Sequence, residues 1–264
     1  MIFFMPFVVG FPDGYEIIAV VIIYMLVGKT NYILHLHIHR PFSNYRAVNL
    51  FLDCCMGAVT GMTASNWRIQ HLYGHHRGND AFRGDVSWEV EMYSPWRALS
   101  YCFRTIWPTF WKPYAEAFRK GVVRNTTQPI SYRWAFAEQT LLLSLVAICV
   151  VINPSIALFY AIPMYIVTYL ISRYVDYLNH YGCDETSPNT FEHANNSLSR
   201  SFNRLCNNFG YHTAHHLRSS AHWTELPHIH NQISDKIPDR CKKSFSWSFM
   251  LFPYHMFLSR FGKM

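Results

Sequence analysis

Two apolar stretches separated by a single turn signal constrain the fold of this chain most. Residues 135–152 and 155–172 are each about 18 residues long and predominantly apolar, which is the minimum for crossing the hydrocarbon core of a bilayer. Between them lies Asn153-Pro154, a dipeptide that favours a turn. The two stretches therefore predict a transmembrane helical hairpin with almost no loop at its tip.

An earlier stretch, residues 17–34, predicts one more crossing. It is interrupted by Lys29, whose long side chain can reach the interface from near the end of a helix. Residues 48–64 are also apolar, but they include Asp53, and a charge within the membrane is costly. We therefore expect residues 48–64 to lie in the membrane plane or to re-enter it without crossing.

The composition agrees with a membrane protein. Hydrophobic residues make up 50% of the chain and charged residues only 15%, whereas a soluble domain carries about 25% charged residues. The net charge of +7 is spread among aromatic residues without a basic block, which favours lipid headgroups over nucleic acid as the partner. Seven cysteines without a CxxC pair support neither a zinc ribbon nor a disulfide framework.

Fifteen histidines fall largely into groups with the spacing of metal ligands. On a helix, residues three and four positions apart share a face. Imidazole binds zinc, copper, iron and nickel, and eight such ligands are too many for one ion, so we predict a two-metal site. Zinc does not change its oxidation state, so oxidation of a hydrocarbon would favour iron over zinc as the bound metal. The eight grouped ligands are His35 and His39 in the first group, His71, His75 and His76 in the second, and His212, His215 and His216 in the third.

A ninth candidate ligand is His180, which lies beyond the second arm of the hairpin. Asp176 precedes His180 by four residues on the same helical face. There its carboxylate can orient the imidazole without itself binding the metal. Asn208 precedes His212 by four residues. It can approach a metal through water, and a helix cap or a packing role is an equal alternative.

Topology places the ligands on one side of the membrane. The hairpin adds two crossings, so it leaves the second and third histidine groups on the same side. A single crossing by residues 48–64 would separate the first group from the second. Three crossings result, and the lysines and arginines then lie on the inner side, as the positive-inside rule requires. We predict one all-α domain over residues 1–264, in which membrane helices support a cytosolic helical cap that carries the histidines.

Residues 33 to about 231 resemble the membrane fatty acid desaturase superfamily. The order HxxxH, HxxxHH, isolated histidine and HxxHH is most similar to its alkane monooxygenase branch, as is the tract DYLNHYGC at residues 176–183. The surroundings of the third group, residues 207–212 and 222–227, resemble those in bacterial desaturases and ketolases.

The resemblance implies a non-haem centre of two iron ions, O2 as co-substrate, and a long-chain acyl, alkyl or isoprenoid substrate. It also implies a separate electron donor of the ferredoxin, rubredoxin or cytochrome type. Carried over by position, the iron ligands are the nine histidines named above. His37 departs from the usual filling of the first group, and we expect it to point away from the metals.

Three functions fit these patterns. The first is oxygen-dependent desaturation of a fatty acyl or other lipid chain. The second is a hydroxylase, ketolase or alkane-type monooxygenase of a lipid or hydrocarbon, which differs in its product. The third is a non-catalytic membrane metal-binding or transport protein, although transport favours ionisable residues within the spans. A soluble zinc hydrolase is excluded by the apolar arms and by the number of ligands.

Overall fold

The computed structural model describes residues 2–76, 94–120, 122–123, 130–184, 187–245, 251–252 and 254–255. Helices dominate these residues, and the four strands among them have two residues each. The predicted all-α fold is confirmed.

The helices and strands have the following bounds. The α-helices are α1 (Met5–Val9), α2 (Glu16–His39), α3 (Arg46–Thr60), α4 (Ala64–Trp67), α5 (Pro95–Lys120), α6 (Tyr132–Ile152), α7 (Pro154–Ile156), α8 (Ile162–His180), α9 (Arg200–Leu205), α10 (His212–Leu217) and α11 (Leu226–Ile233). Two π-helices span Arg68–His75 and Ala157–Ala161, and 3-10 turns span Ile2–Phe4, Thr190–Glu192, Ser234–Lys236 and Asp239–Cys241. Strands β1 (Val122–Val123) and β2 (Ile130–Ser131) pair antiparallel, and β3 (Asn196–Ser197) and β4 (Lys242–Lys243) pair parallel.

Three helical stretches are long and apolar enough to cross a membrane: Glu16–His39, Tyr132–Ile152 and Pro154–His180. They contain the predicted spans 17–34, 135–152 and 155–172. The first and third extend past their apolar parts as far as His39 and His180, so the same helices that cross the membrane carry candidate metal ligands. The chain is an integral membrane protein.

The stretch after the first span is bent. Helix α3 and the helical stretch Ala64–Leu72 meet at an angle of 93°, which makes a broken span or a re-entrant loop. The in-plane or re-entrant path of residues 48–64 stays a prediction.

Gly61 makes this bend possible. Its φ of +72° is left-handed, a conformation that residues with a side chain rarely adopt, and its backbone N–H donates to the Gly57 carbonyl as the helix ends. A Cβ atom at Gly61 would also lie 2.5 Å from the ring of Tyr165. After the bend, the Thr63 side chain accepts from the Asn66 N–H and caps α4.

The chain divides into two compact units. The first unit comprises Met1–Phe82 and Pro108–Tyr169, and the second comprises Arg83–Trp107 and Leu170–Met264. That residues 1–264 act as one domain stays a prediction.

The core of the first unit joins the N-terminal segment to α2 and to the helical stretch that follows Pro154. Phe3, Val27 and Tyr160 are buried together there, and the Tyr160 hydroxyl donates to the Phe3 carbonyl at 3.0 Å. In contrast, Ile17, Val151 and Phe159 are more than three quarters exposed. Such apolar surface is expected where a helix faces lipid.

The second unit has two small hydrophobic cores, one of which includes the helix of the third histidine group. Helix α10 packs on α11 through Ala214, Leu226 and Ile229. A separate core contains Cys183 and Cys241. The contacts with α11 fix α10, whose residues include three of the predicted metal ligands.

Candidate metal centre

The first histidine cluster consists of His35, His39 and His71 in the first unit. The first two lie four residues apart in the last turns of α2, and His71 lies in the first π-helix. Each offers a ring nitrogen, and these nitrogens all lie within 4.8 Å of one another. The Nε2 atom of His35 is 2.7 Å from that of His71 and 3.2 Å from that of His39. All three side chains are buried.

These separations suit a shared cation. When two imidazole nitrogens bind the same ion, each nitrogen–metal bond is about 2.1 Å long. If the angle between these bonds is a right angle, the two nitrogens lie about 3.0 Å apart. Nitrogen lone pairs repel one another, so such close approach requires a proton or a metal ion between them. Burial disfavours added protons because it disfavours charged imidazolium. The first cluster therefore has the donor set and spacing of a metal site.

The π-helix brings two more histidines beside His71. Its i to i+5 hydrogen bonding continues to His76, whose backbone N–H donates to the His71 carbonyl at 2.9 Å. The His76 Nε2 lies 3.1 Å from the His71 Nε2, and the ring of His75 stacks on that of His71 at a centroid distance of 5.0 Å. The wider turn thus keeps both neighbours close to His71, and π-helices are frequent at functional sites. The sequence spacing alone predicted an ordinary helix here.

His37 points elsewhere in the same unit. Its Nδ1 accepts from the Phe42 backbone N–H at 3.2 Å, and its Nε2 lies 3.3 Å from Asp53 Oδ1. Asp53 in turn accepts two hydrogen bonds from Arg68, which lies three residues before His71. We expected His37 to point away from the metals, and its ring nitrogens contact Phe42 and Asp53. Sequence reasoning did not identify the partnership of Asp53 with Arg68.

The second histidine cluster consists of His180, His212 and His216 in the second unit. His180 ends α8, and the other two lie four residues apart on α10. The Nε2 atom of His212 lies 3.1 Å from that of His180 and 3.2 Å from that of His216. The three ligand nitrogens lie within 4.8 Å of one another. This spacing matches that of the first cluster.

The His180 ring is oriented by a backbone carbonyl. Its Nδ1 lies 2.9 Å from the carbonyl oxygen of His193, which places a proton on Nδ1 and leaves the Nε2 lone pair for a metal. Asp176, to which we assigned this orienting role, has other partners. It accepts a hydrogen bond from the Tyr101 hydroxyl at 2.5 Å and lies 3.6 Å from Arg173.

His215 lies beside the second cluster, with its ring 5.5 Å from that of His212. Burial, and secondarily the charge of His180, lowers the pKa of His215 to about 3. The imidazole is therefore neutral at physiological pH, which is the state that binds a metal.

A polar clamp that sequence reasoning missed holds the second cluster. The Asn195 side chain donates to the carbonyls of Leu178 and Tyr181 around the end of α8. The Asn196 amide donates to Thr213 Oγ1 at 2.7 Å and accepts from the Thr213 backbone N–H at 3.1 Å. Consecutive asparagines before the third histidine group were the available sequence signal.

Asn208 is placed in the turn before α10. Its φ of +60° is left-handed, which asparagine tolerates better than most residues, and its side-chain nitrogen donates to the Trp223 carbonyl at 3.1 Å. This contact fits the structural alternative for Asn208, and a water-mediated approach to a metal stays a prediction.

All nine predicted ligands lie among the described residues. Six of them form the two clusters, His75 and His76 adjoin His71, and His215 adjoins His212. Clusters of three imidazole nitrogens fit iron or another transition metal and do not fit calcium or magnesium, which prefer oxygen ligands.

Comparison with known proteins gives one family. The sequence model of the fatty acid desaturase family matches residues 15–247, which include every candidate ligand. No curated protein sequence matches the chain, and no solved structure does. Since the matched region covers most of the chain, the protein belongs to the fatty acid desaturase family.

Proposed function

We propose that the protein introduces a double bond into a fatty acyl or other lipid chain, with O2 as oxidant and iron held by its histidines. Family membership supports an oxidoreductase that modifies lipids. The two imidazole clusters carry the proposal, because desaturation of an unactivated chain requires a redox metal and the clusters offer the ligands for one.

The proposed cofactor is two iron ions. In this proposal the first and second clusters bind one ion each, and His75, His76 and His215 complete the coordination. The donor set is compatible with iron because it consists of imidazole nitrogens, and the oxidation of an unactivated chain favours iron over zinc. The residues also offer more ligands than a single ion accepts.

The chain's own residues prepare the ligands. Iron would supply, together with O2, the oxidising power that unactivated C–H bonds require. The His193 carbonyl holds the proton of His180 on Nδ1, and burial keeps His215 neutral. Asp53 connects α3 to His37 and to Arg68, so the segments that carry His35, His39 and His71 are held in place.

The proposal includes two partners and an orientation. Electrons come from a separate ferredoxin, rubredoxin or cytochrome, and the substrate enters from the membrane. The histidines face the cytoplasm, as the positive-inside rule supports.

Product analysis tests the reaction. The chain is expressed in a host that lacks desaturases, and lipids and hydrocarbons are profiled by mass spectrometry beside His35→Ala, His180→Ala and His228→Ala. The last variant is the matched control, because His228 is exposed and contacts Gln232. We expect new double bonds with the wild type and the control and none with the cluster variants.

Other outcomes contradict desaturation. Oxygenated products that require His35 and His180 would identify the hydroxylase alternative. New products that persist in both cluster variants would exclude this chain as their source. Tight iron binding without oxygen consumption on any lipid would identify a non-catalytic metal-binding protein.

Metal content tests the proposed cofactor independently. The purified wild type should hold about two iron ions per chain, because two clusters bind one ion each. His35→Ala and His180→Ala should each lose a large part of that iron, and His228→Ala should not. Equal iron content in all four proteins would reject the assigned ligands.

A further inference from the structure

The first unit contains a cavity of about 160 Å³ between α3 and α6. Gly57 and Ala58 line it from α3, and Glu138 and the leucines 141, 142 and 145 line it from one face of α6. Protein interiors seldom contain voids much larger than a water molecule. A cavity of this size, comparable with engineered cavities of roughly 150 Å³ that bind benzene, has room for part of a ligand.

Two buried carboxyl groups border the cavity, and their hydrogen bonding differs. The Asp53 oxygens already face Arg68 and His37. Glu138 is 4% exposed, and its Oε2 accepts from the Ser65 backbone N–H at 3.1 Å. Its Oε1 has no hydrogen-bond partner among the residues that the structure describes. Since buried polar atoms are nearly always hydrogen-bonded, Glu138 calls for a further partner.

The charges around Glu138 restrict the chemistry of that partner. Arg68 is close enough to act on Glu138 electrostatically, so a cationic headgroup would meet a positive charge already present. An anionic headgroup would meet the carboxyl groups of both Glu138 and Asp53. A neutral hydroxyl avoids both costs. A hydroxyl also suits either protonation state of Glu138, because it donates to a carboxylate and accepts from a carboxylic acid.

The remaining wall fits a hydrocarbon chain. The lining is predominantly apolar, and the cavity is partly open. Leu141 belongs to the lining although it is 55% exposed, so the cavity reaches the outer surface of a candidate membrane span. A ligand with a hydroxyl end inside can therefore extend its chain into the bilayer.

We propose that this cavity binds the hydroxyl end of a long-chain, membrane-soluble alcohol, with Glu138 Oε1 as its hydrogen-bond partner. The alcohol enters sideways from the bilayer past Leu141. The site does not depend on the proposed reaction, since iron and turnover play no part in this binding.

Photolabelling of the full chain in phospholipid nanodiscs tests the proposal. The probe is hexadecanol that carries a photoreactive diazirine near its hydroxyl, and labelled peptides are identified by mass spectrometry. We expect labels within residues 53–63 and 138–145. Unlabelled hexadecanol should compete, and hexadecane at the same concentration should not.

Variants separate specific binding from partition into the bilayer. Ala58→Leu fills the cavity and should abolish the labelling, whereas Ala147→Leu makes the same substitution on an exposed position of α6 and should not. Glu138→Leu should weaken competition by hexadecanol about tenfold, which is the effect of losing one strong hydrogen bond. Glu138→Gln keeps a hydrogen-bonding group and should bind nearly as the wild type does.

Three results would overturn the proposal. One is labelling that lies outside both segments, which would mean that water or a protein group satisfies Glu138. Another is labelling that Ala58→Leu leaves unchanged. The third is competition by hexadecane equal to that by hexadecanol, which would leave an apolar crevice without a hydroxyl site.

Discussion

The guanidinium of Arg68 donates to both carboxylate oxygens of Asp53, at 2.6 and 2.8 Å. His37 approaches the same carboxylate at 3.3 Å, and all three side chains are almost fully buried. Asp53 comes from α3, His37 lies between two metal-ligand candidates on α2, and Arg68 precedes His71 by three residues. One carboxylate therefore connects both segments that carry the first cluster.

Replacement of Asp53 should destabilise the protein and its first cluster. Asp53→Asn leaves the buried Arg68 without its counter-charge, and breaking a buried ion pair costs about 3–5 kcal/mol. Thermal unfolding in detergent should show the loss, and iron content should fall with it. Asp239→Asn is the control, since its ion pair with Lys242 is on the surface, and no measurable change is expected there. Equal midpoints for the two variants would contradict this role of Asp53.

Gly61→Ala should disturb the bend before the first π-helix. The left-handed φ of +72° costs a residue with a Cβ atom about 1–2 kcal/mol, and the new atom would collide with the Tyr165 ring at 2.5 Å. Gly14→Ala is the control because Gly14 has a φ of +75° with nothing within 4 Å of the added atom. Thermal unfolding should show the larger loss for Gly61→Ala. A loss no larger than that of Gly14→Ala would mean that the Tyr165 ring moves aside without cost to stability.

The membrane helices could be predicted from the sequence because their signal is local. The runs of apolar residues around Asn153-Pro154 already specify two helices, and histidines four residues apart specify ligand pairs on a helical face. For the same reason, His35 with His39 and His212 with His216 were expected as neighbours, and both pairs are found.

The supporting contacts were beyond prediction because they join distant parts of the chain. The partner of Asp53 lies 15 residues away, and the His180 ring is held by a backbone carbonyl 13 residues later. A backbone carbonyl cannot be recognised from residue types, so the sequence predicted Asp176 as the residue that orients His180. The π-helix at His71 was also missed, because an added residue per turn leaves no clear mark in the spacing.

Thr213→Val should weaken the clamp on the second cluster. Its hydroxyl accepts from Asn196 at 2.7 Å and lies 3.2 Å from the Ala194 carbonyl, and valine keeps the shape while leaving the buried amide of Asn196 short of a partner. A loss of about 1–3 kcal/mol is expected. Thr213→Ser should recover most of it, and the exposed Thr224→Val should have little effect. If Thr213→Val unfolds at the same temperature as Thr224→Val, the clamp does not stabilise the protein.

Acid should destabilise the protein partly through His255. Burial lowers the pKa of His255 to about 4 from an ordinary value of 6.5, and its Nδ1 lies 2.6 Å from the Tyr174 hydroxyl. Between these two values the unfolded chain holds more protons than the folded one, so stability rises with pH in that range and is lost as pH falls through it. His255→Asn removes this titration. Its unfolding temperature should therefore decline less steeply with acid than that of the wild type, while the exposed His228→Asn follows the wild type. Parallel declines in all three proteins would show that His255 takes up its proton without cost to the fold. Comparing how steeply the unfolding temperature falls with pH isolates the effect of His255. The other buried histidines contribute equally to the pH dependence of all three proteins.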